Sequence, residues 1–165
     1  MGAISAHVGQ QFGMTTIVLV HPEIPGNTGS IGRTCVALDI ELVLIRPLGF
    51  DISESAVKRA GLDYWKHVRL AEFDSFGEYL SARAIREEQL FLFTKHAPRS
   101  FYEPEYPDDA VLVFGRETKG LAPELCDEYA ARLVSLPMRS PHIRSLNLAN
   151  AVTAAAYQAL RRSFS

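Results

Sequence analysis

The sequence predicts an α/β fold, a mainly parallel sheet with helices on both faces, and two observations carry that prediction. Short β-rich runs alternate with helical stretches along the chain. Four of the five runs are apolar throughout their centres, as strands buried on both faces must be. The runs are TTIVLV (15–20), ELVLIR (41–46), LFLFT (90–94), VLVFG (111–115) and RLVSLP (132–137). Helices are predicted between and after them at about 28–38, 53–60, 74–87, 122–131 and 146–162.

The bulk numbers bound what such a fold can do. A chain of 165 residues, 47% hydrophobic, fills one sizeable core, so residues 14–165 are expected to form a single domain. Residues 1–13, MGAISAHVGQQFG, lack periodicity and are expected to be an N-terminal extension or a remnant of cloning. Seventeen Lys and Arg against nineteen Asp and Glu give a net charge of -2, so any nucleic-acid contact must come from a local patch. Cys35 and Cys126 fall in no metal-binding spacing, and two lone thiols point to a reducing, cytoplasmic compartment. The longest apolar run, TTIVLV, is far short of the roughly 18 residues of a membrane span, so no membrane partner is expected.

In an open parallel sheet ligands sit beyond the carboxyl ends of the strands, which directs attention to three loops. After the first strand comes HPEIPGNTGSIGRTC, where Asn27 or Thr28 can cap a helix and Gly29 and Gly32 allow another backbone to approach. Its glycine spacing is not the GxGxxG fingerprint, which disfavours a dinucleotide. Arg33 lies further along that helix, either as a working guanidinium or as a solvated side chain. After VLVFG comes RETKGLAPEL, in which Gly115 and Gly120 have the separation of a phosphate-binding loop. Leu121 and Ala122 stand where the Lys and Ser/Thr of such a loop belong, so nucleoside-triphosphate chemistry is excluded. What remains is a glycine loop with Glu117 and Lys119 at its lip, open to a ligand through backbone groups.

The third loop, SLPMRSPHIRSLNLAN (135–150), runs into the last helix, and the stretch APRSFYEPEYPDD (97–109) is a proline-rich surface loop. On the last helix Leu148, Val152, Ala155, Ala156 and Ala159 form one buried face. A second stripe, Asn147, Asn150, Ala154, Tyr157 and Arg161, lines polar groups along one side. Ser145 and Asn147 are accounted for as N-caps, but Asn150 and Tyr157 are not. No Ser-His-Asp or paired-carboxylate spacing is present, so hydrolysis has little support.

Taken together and in this order, PEIPGNTGSIGRTC, LVFGRETKGLAPEL and SLPMRSPHIRSLNLANAVTAAAYQALRR resemble the three motifs of the SPOUT methyltransferases, in their RNA ribose 2′-O-methylating branch. RAGLDYW (59–65) is a further likeness; Gly26 departs from it, standing where the pattern has a second proline. The resemblance implies a C-terminal deep trefoil knot, S-adenosyl-L-methionine as methyl donor and no metal. It further implies a homodimer acting on the wobble nucleotide, position 34, of a tRNA anticodon stem-loop. By the same resemblance Phe93, Thr94, Gly115, Leu136, Met138, Ser145 and Leu146 bind the cofactor, and Arg33, Glu117 and Asn147 are catalytic. Asn27, Asn150 and Tyr157 would meet substrate or the second subunit. Two other readings stay open, namely 2′-O-methylation of another tRNA or rRNA site and a catalytically inactive knotted RNA-binding module.

Overall fold

The computed structural model describes residues 13–165, so all of the predicted N-terminal extension except Gly13 lies outside the described residues. The chain runs β1 (Thr16–Val20), α1 (Pro25–Leu38), β2 (Glu41–Ile45), α2 (Glu54–Arg59), β3 (Arg69–Phe73) and α3 (Phe76–Ala82). It continues as β4 (Leu90–Phe93), β5 (Val111–Phe114), α4 (Pro123–Glu128), β6 (Leu133–Val134) and α5 (Leu148–Ala159). The strands form one six-stranded sheet in the order β3-β2-β1-β5-β4-β6. Every neighbouring pair is parallel.

The strand period of two divides the apolar side chains between two cores. Ile17, Leu19, Leu42, Leu44, Phe91, Phe93, Leu112 and Phe114 face Ile31 and Cys35 of α1 and Val152, Ala155 and Ala156 of α5. The alternate residues, Val18, Val20, Val43, Ile45, Leu90, Leu92, Val111 and Val113, face Phe76 and Tyr79 of α3, with Leu125 of α4 at the margin. Helices therefore cover both faces. Each fully buried aliphatic side chain contributes about 1.5–3 kcal/mol, and that is why the four central strands had to be continuous apolar runs.

The element β3 was not foreseen. Its sequence RLAEF lies at the sheet edge, half exposed, with its charges neutralised sideways by Arg69–Asp39 at 2.8 Å and Arg46–Glu72 at 3.0 Å. Two charges in five residues hide the apolar signal. The third helix is shorter than the predicted 74–87 because Ser75 caps it by accepting the Glu78 N–H at 3.0 Å, and Ala84 leaves the helical region at φ 49°. The first helix begins at Pro25 and not at 28, since proline's fixed φ and missing N–H suit the first helical position.

At the far end of the sheet, residues 134–135 are held on both sides by the loop that follows β4. Thr94 N–H donates to the Val134 carbonyl at 3.0 Å, while Phe101 N–H reaches the Ser135 carbonyl and Ser135 N–H the Arg99 carbonyl, both at 2.9 Å. From there the chain returns as α5, whose Thr153 hydroxyl lies 2.9 Å from that of Thr34 on α1.

Gly29 and Gly32 of α1 are explained by side chains and not, as the sequence suggested, by an approaching backbone. A Cβ on Gly32 would lie 2.5 Å from Cζ3 of Trp65, and one on Gly29 would touch Leu62 at 3.4 Å. The segment 59–65 is thus the cover that packs onto the start of α1. Gly32→Ala is expected to lower stability by about 1–2 kcal/mol through the displaced indole, even after the helix-propensity gain of about 1 kcal/mol. Gly26→Ala, with nothing within 4 Å of the added carbon, is expected to be neutral or slightly stabilising. Urea unfolding of the two variants measures the difference, and equal stabilities would contradict the packing account.

Candidate active site

Four main-chain N–H groups at the start of any helix lack helical partners, and at α1 the chain cannot supply a cap of its own. Ile24 occupies the capping position and makes no side-chain cap, so Asn27 and Thr28 are not the caps they were expected to be. The Ile24 carbonyl accepts from the Asn27 N–H at 3.2 Å, and the two N–H groups just ahead of the helix are met from another loop. The Glu117 carboxylate takes the N–H of Glu23 at 2.8 Å and that of Ile24 at 3.0 Å, and it also accepts from the Asn27 side-chain amide at 3.4 Å. An anion at a helix N-terminus is further favoured by the helix dipole. In exchange, the Glu23 carboxylate accepts the Thr118 N–H at 3.1 Å and its hydroxyl at 2.9 Å.

The same chain of bonds reaches the last helix. Asn147 caps α5, its side-chain oxygen accepting the N–H groups of Ala149 at 2.9 Å and Asn150 at 3.4 Å. That leaves its NH₂ to donate to the Asn27 oxygen at 3.0 Å, and the Asn27 NH₂ to face the Glu117 carboxylate. Every amide in the series has one orientation available. Ser145, the alternative cap, is exposed and makes no cap bond.

The loop after β5 is closed on itself. Arg116 and Gly120 exchange N–H···O bonds of 3.1 and 2.8 Å, Gly120 turns at φ 66°, and a Cβ on Gly115 would sit 2.1 Å from the Gly120 carbonyl carbon. Gly115 is therefore required by the fold of this loop. The N–H groups of Arg116, Thr118 and Gly120 are already engaged, so fewer backbone donors face a ligand here than the glycine spacing suggested.

Between these loops lies a cleft of about 690 Å³. All seven residues expected to bind a cofactor, Phe93, Thr94, Gly115, Leu136, Met138, Ser145 and Leu146, line it, together with Asn27, Glu117 and Asn147. Sequence reasoning missed Lys95, His96, Cys126 and Asp127, which also line it and carry no motif that would have marked them. The Cys126 thiol is pushed above its usual range by burial and by the adjacent Asp127 carboxylate.

Three expected site residues lie elsewhere. Arg33 is exposed and does not line the cleft; its guanidinium sits 5.6 Å from the centre of the Tyr64 ring. Tyr64 in turn donates to the Gly29 carbonyl at 2.7 Å, and its phenol is raised by burial against a smaller downward pull from Arg33. Helical geometry keeps Arg33, expected to be catalytic, out of this cleft. Asn27 and Thr34, seven residues apart, share the face toward α5, and Arg33 is turned about 100° away from it. Asn150 and Tyr157 lie on the outer face of α5, Tyr157 being 53% exposed with its ring 6.4 Å from that of Phe164.

Among the described residues no group of three or more His, Cys, Asp or Glu is placed to hold a metal ion, and no helix is long and apolar enough to cross a membrane.

Comparison with known proteins gives a consistent set of relatives. Residues 14–157 match the model of the SpoU rRNA Methylase family. A tRNA (cytidine(34)-2′-O)-methyltransferase of Burkholderia pseudomallei is 39% identical over 151 residues, covering 91% of this chain and 96% of that one. A solved structure concerned with 2-OH methylation of C/U34 on tRNA superposes with a TM-score of 0.82 at 44% identity, over 92% of this chain and 97% of that one. The methyltransferase AviRb from Streptomyces viridochromogenes, in complex with AdoMet, superposes with a TM-score of 0.78 at 26% identity, over 92% of this chain and 58% of that one.

Removing the shared acceptor tests how the site is assembled. Glu117→Ala strands two main-chain donors and one amide, and is expected to cost about 1.5–3 kcal/mol of stability. Thr118→Ala, which leaves the Glu117 bonds intact, is expected to cost less than half as much. Thermal unfolding of both variants is the measurement; equal losses would show that Glu117 is not the organising acceptor.

Proposed function

The chain belongs to the SpoU rRNA methylase family, and from that premise we propose that it transfers a methyl group from S-adenosyl-L-methionine to the ribose 2′-OH of nucleotide 34 of tRNA. The observation that carries this reading is the convergence of all seven expected cofactor residues on one cleft that also holds Glu117 and Asn147. Relatives over nearly the whole chain length support the acceptor.

The residues present suit this cofactor. Phe93, Leu136, Met138 and Leu146 offer apolar surface to a base and a thioether stem, while Thr94 and Ser145 offer hydroxyls and Lys95 a cation for a carboxylate. When bound, the sulfonium supplies an already electrophilic methyl group, so the reaction needs alignment more than activation and we read it as metal-independent. The protein's part is to hold donor and acceptor in line: Glu117 and Asn147 fix three loops around the cleft, and Arg33 takes the phosphate next to the reacting ribose. A guanidinium has five donors and no acceptor, so it serves as an anion clamp and not as a base, and the 2′-OH proton passes to another group or to water.

The reading extends to assembly. Residues 14–165 act as one catalytic domain, supported by the single continuous sheet. A trefoil knot at the C-terminus is supported by residues 134–135 lying between Thr94 and Arg99–Phe101 of one loop before the chain returns as α5. A homodimer through α5 is supported by the exposed stripe Asn147, Asn150, Ala154, Tyr157 and Arg161. In such a dimer Arg33, turned from its own cleft, serves the cleft of the second copy. The free thiols Cys35 and Cys126 are in keeping with action in the cytoplasm.

Transfer of labelled methyl to an anticodon stem-loop, followed by nucleoside mass spectrometry, is expected to place the label on the ribose of nucleotide 34. Label at another position of tRNA or rRNA would overturn the wobble assignment, and no transfer by folded protein would favour an inactive binding module.

Arg33→Ala is expected to slow single-turnover transfer by about a hundredfold or more, the scale of lost positioning, with cofactor affinity unchanged. Mixing inactive Arg33→Ala and Asn147→Ala proteins is expected to restore about one quarter of wild-type activity, since half of randomly formed dimers then carry one intact shared site. No recovery would place both residues in the same subunit's site.

A further inference from the structure

We infer that the segment 136–146, which joins β6 to α5, is a cationic clamp for the phosphate backbone of the RNA and that cofactor binding tightens it. The inference rests on the function proposed above. Among the described residues this segment makes a single hydrogen bond, the His142 N–H donating to the Ser140 hydroxyl at 3.2 Å, and that bond is internal to it. Residues 137–146 are exposed without interruption. Leu136 packs against the core, but the stretch after it, with exposed backbone and no hydrogen bond to the rest of the molecule, belongs to the less stable part of a fold and gains order from what binds it.

Its side chains say what that is. Arg139, His142 and Arg144 lie within it, and it contains no acidic residue. Arg139 and Arg144 make no ion pair among the described residues, and unlike the other unpaired arginines they fall together, with His142, on one exposed stretch without an acidic residue. In a chain with more carboxylates than cations, these charges are left open to an external polyanion. Ile143, 56% exposed between them, gives apolar surface to a sugar or base.

The two ends of the segment have a different task. Met138, Ser145 and Leu146 line the cleft, and Arg139, His142 and Arg144 do not. One short stretch thus carries cofactor contacts at its ends and cations between them. A ligand that seats Met138 and Leu146 orders the intervening residues, and RNA then meets cations whose freedom has already been reduced. Linkage makes the effect reciprocal, so each ligand raises the affinity for the other.

The experiment is fluorescence anisotropy of a labelled anticodon stem-loop titrated with the full chain, with and without saturating S-adenosylhomocysteine, across a salt series. For the wild type, the cofactor product is expected to tighten RNA binding by about fivefold or more. Arg139→Ala/Arg144→Ala is expected to flatten the slope of log affinity against log salt by about 1.5 and to abolish the coupling. Its affinity for S-adenosylhomocysteine alone should stay within twofold of wild type. Arg139→Lys/Arg144→Lys, which keeps both charges, should keep the salt slope. The inference is overturned if the alanine variant binds RNA with wild-type salt dependence, or if it keeps the coupling. It is also overturned if that variant binds RNA normally but changes oligomeric size by light scattering, for then the segment joins two copies of the chain. Any of these results with wild-type methyl transfer intact leaves the proposed function standing; a wild type that neither binds nor methylates the stem-loop removes both.

Discussion

The arrangement of the cleft depends on the need to satisfy two main-chain N–H groups, those of Glu23 and Ile24, that lead into α1. Pro25 has no N–H and the Ile24 carbonyl accepts from the Asn27 N–H at 3.2 Å, whereas the N–H groups of Glu23 and Ile24 find their acceptor only in a loop distant in sequence. Glu117 meets them, and by doing so fixes where the loop after β5 lies relative to the loop after β1. Asn27 passes the constraint to Asn147, which is itself tied to the start of α5. Three loops distant in sequence are thereby set by one carboxylate. The return grip of Glu23 on Thr118 makes the junction two-sided, which resists shear as well as separation.

Much of this architecture was legible in the sequence where one physical demand dominated. The strands β1, β2, β4 and β5 had to be apolar on both faces and showed it. The buried face of α5 was likewise visible in Val152, Ala155 and Ala156. Legibility failed where two demands competed. The edge strand β3 trades apolar content for Arg69 and Glu72, whose partners Asp39 and Arg46 are remote in sequence and invisible to a local pattern. The helix start at Pro25 was obscured because its cap is supplied in tertiary structure, which made the nearby Asn27 and Thr28 look like caps.

The candidate site divides in the same way. That Phe93, Gly115, Met138 and Ser145 share one cleft followed from a family likeness and from the rule that loops at the carboxyl ends of parallel strands converge. The direction of Arg33 did not follow, because helical phase depends on which residues face α5, and that is set by Thr34 with Thr153. Glycines were informative about closeness and silent about the neighbour. Gly32 meets an indole, and Gly115 meets the main chain of its own loop.

The Glu117 junction also bears on how this protein can change over generations. Two of the three groups that its carboxylate accepts are main-chain N–H groups, which every residue except proline presents. A lost side-chain partner can often be restored by a compensating substitution opposite it. Here the opposite side is backbone, so no replacement at positions 23 or 24 rebuilds what is lost at 117. Variation at that position is consequently confined to side chains that bring a carboxylate to the same place, whatever happens around it, and its evolutionary freedom is uncoupled from that of its neighbours. Asn27 and Asn147 are joined side chain to side chain, so a change in one can be answered in the other, within the bonds each also makes to Glu117 and to the start of α5.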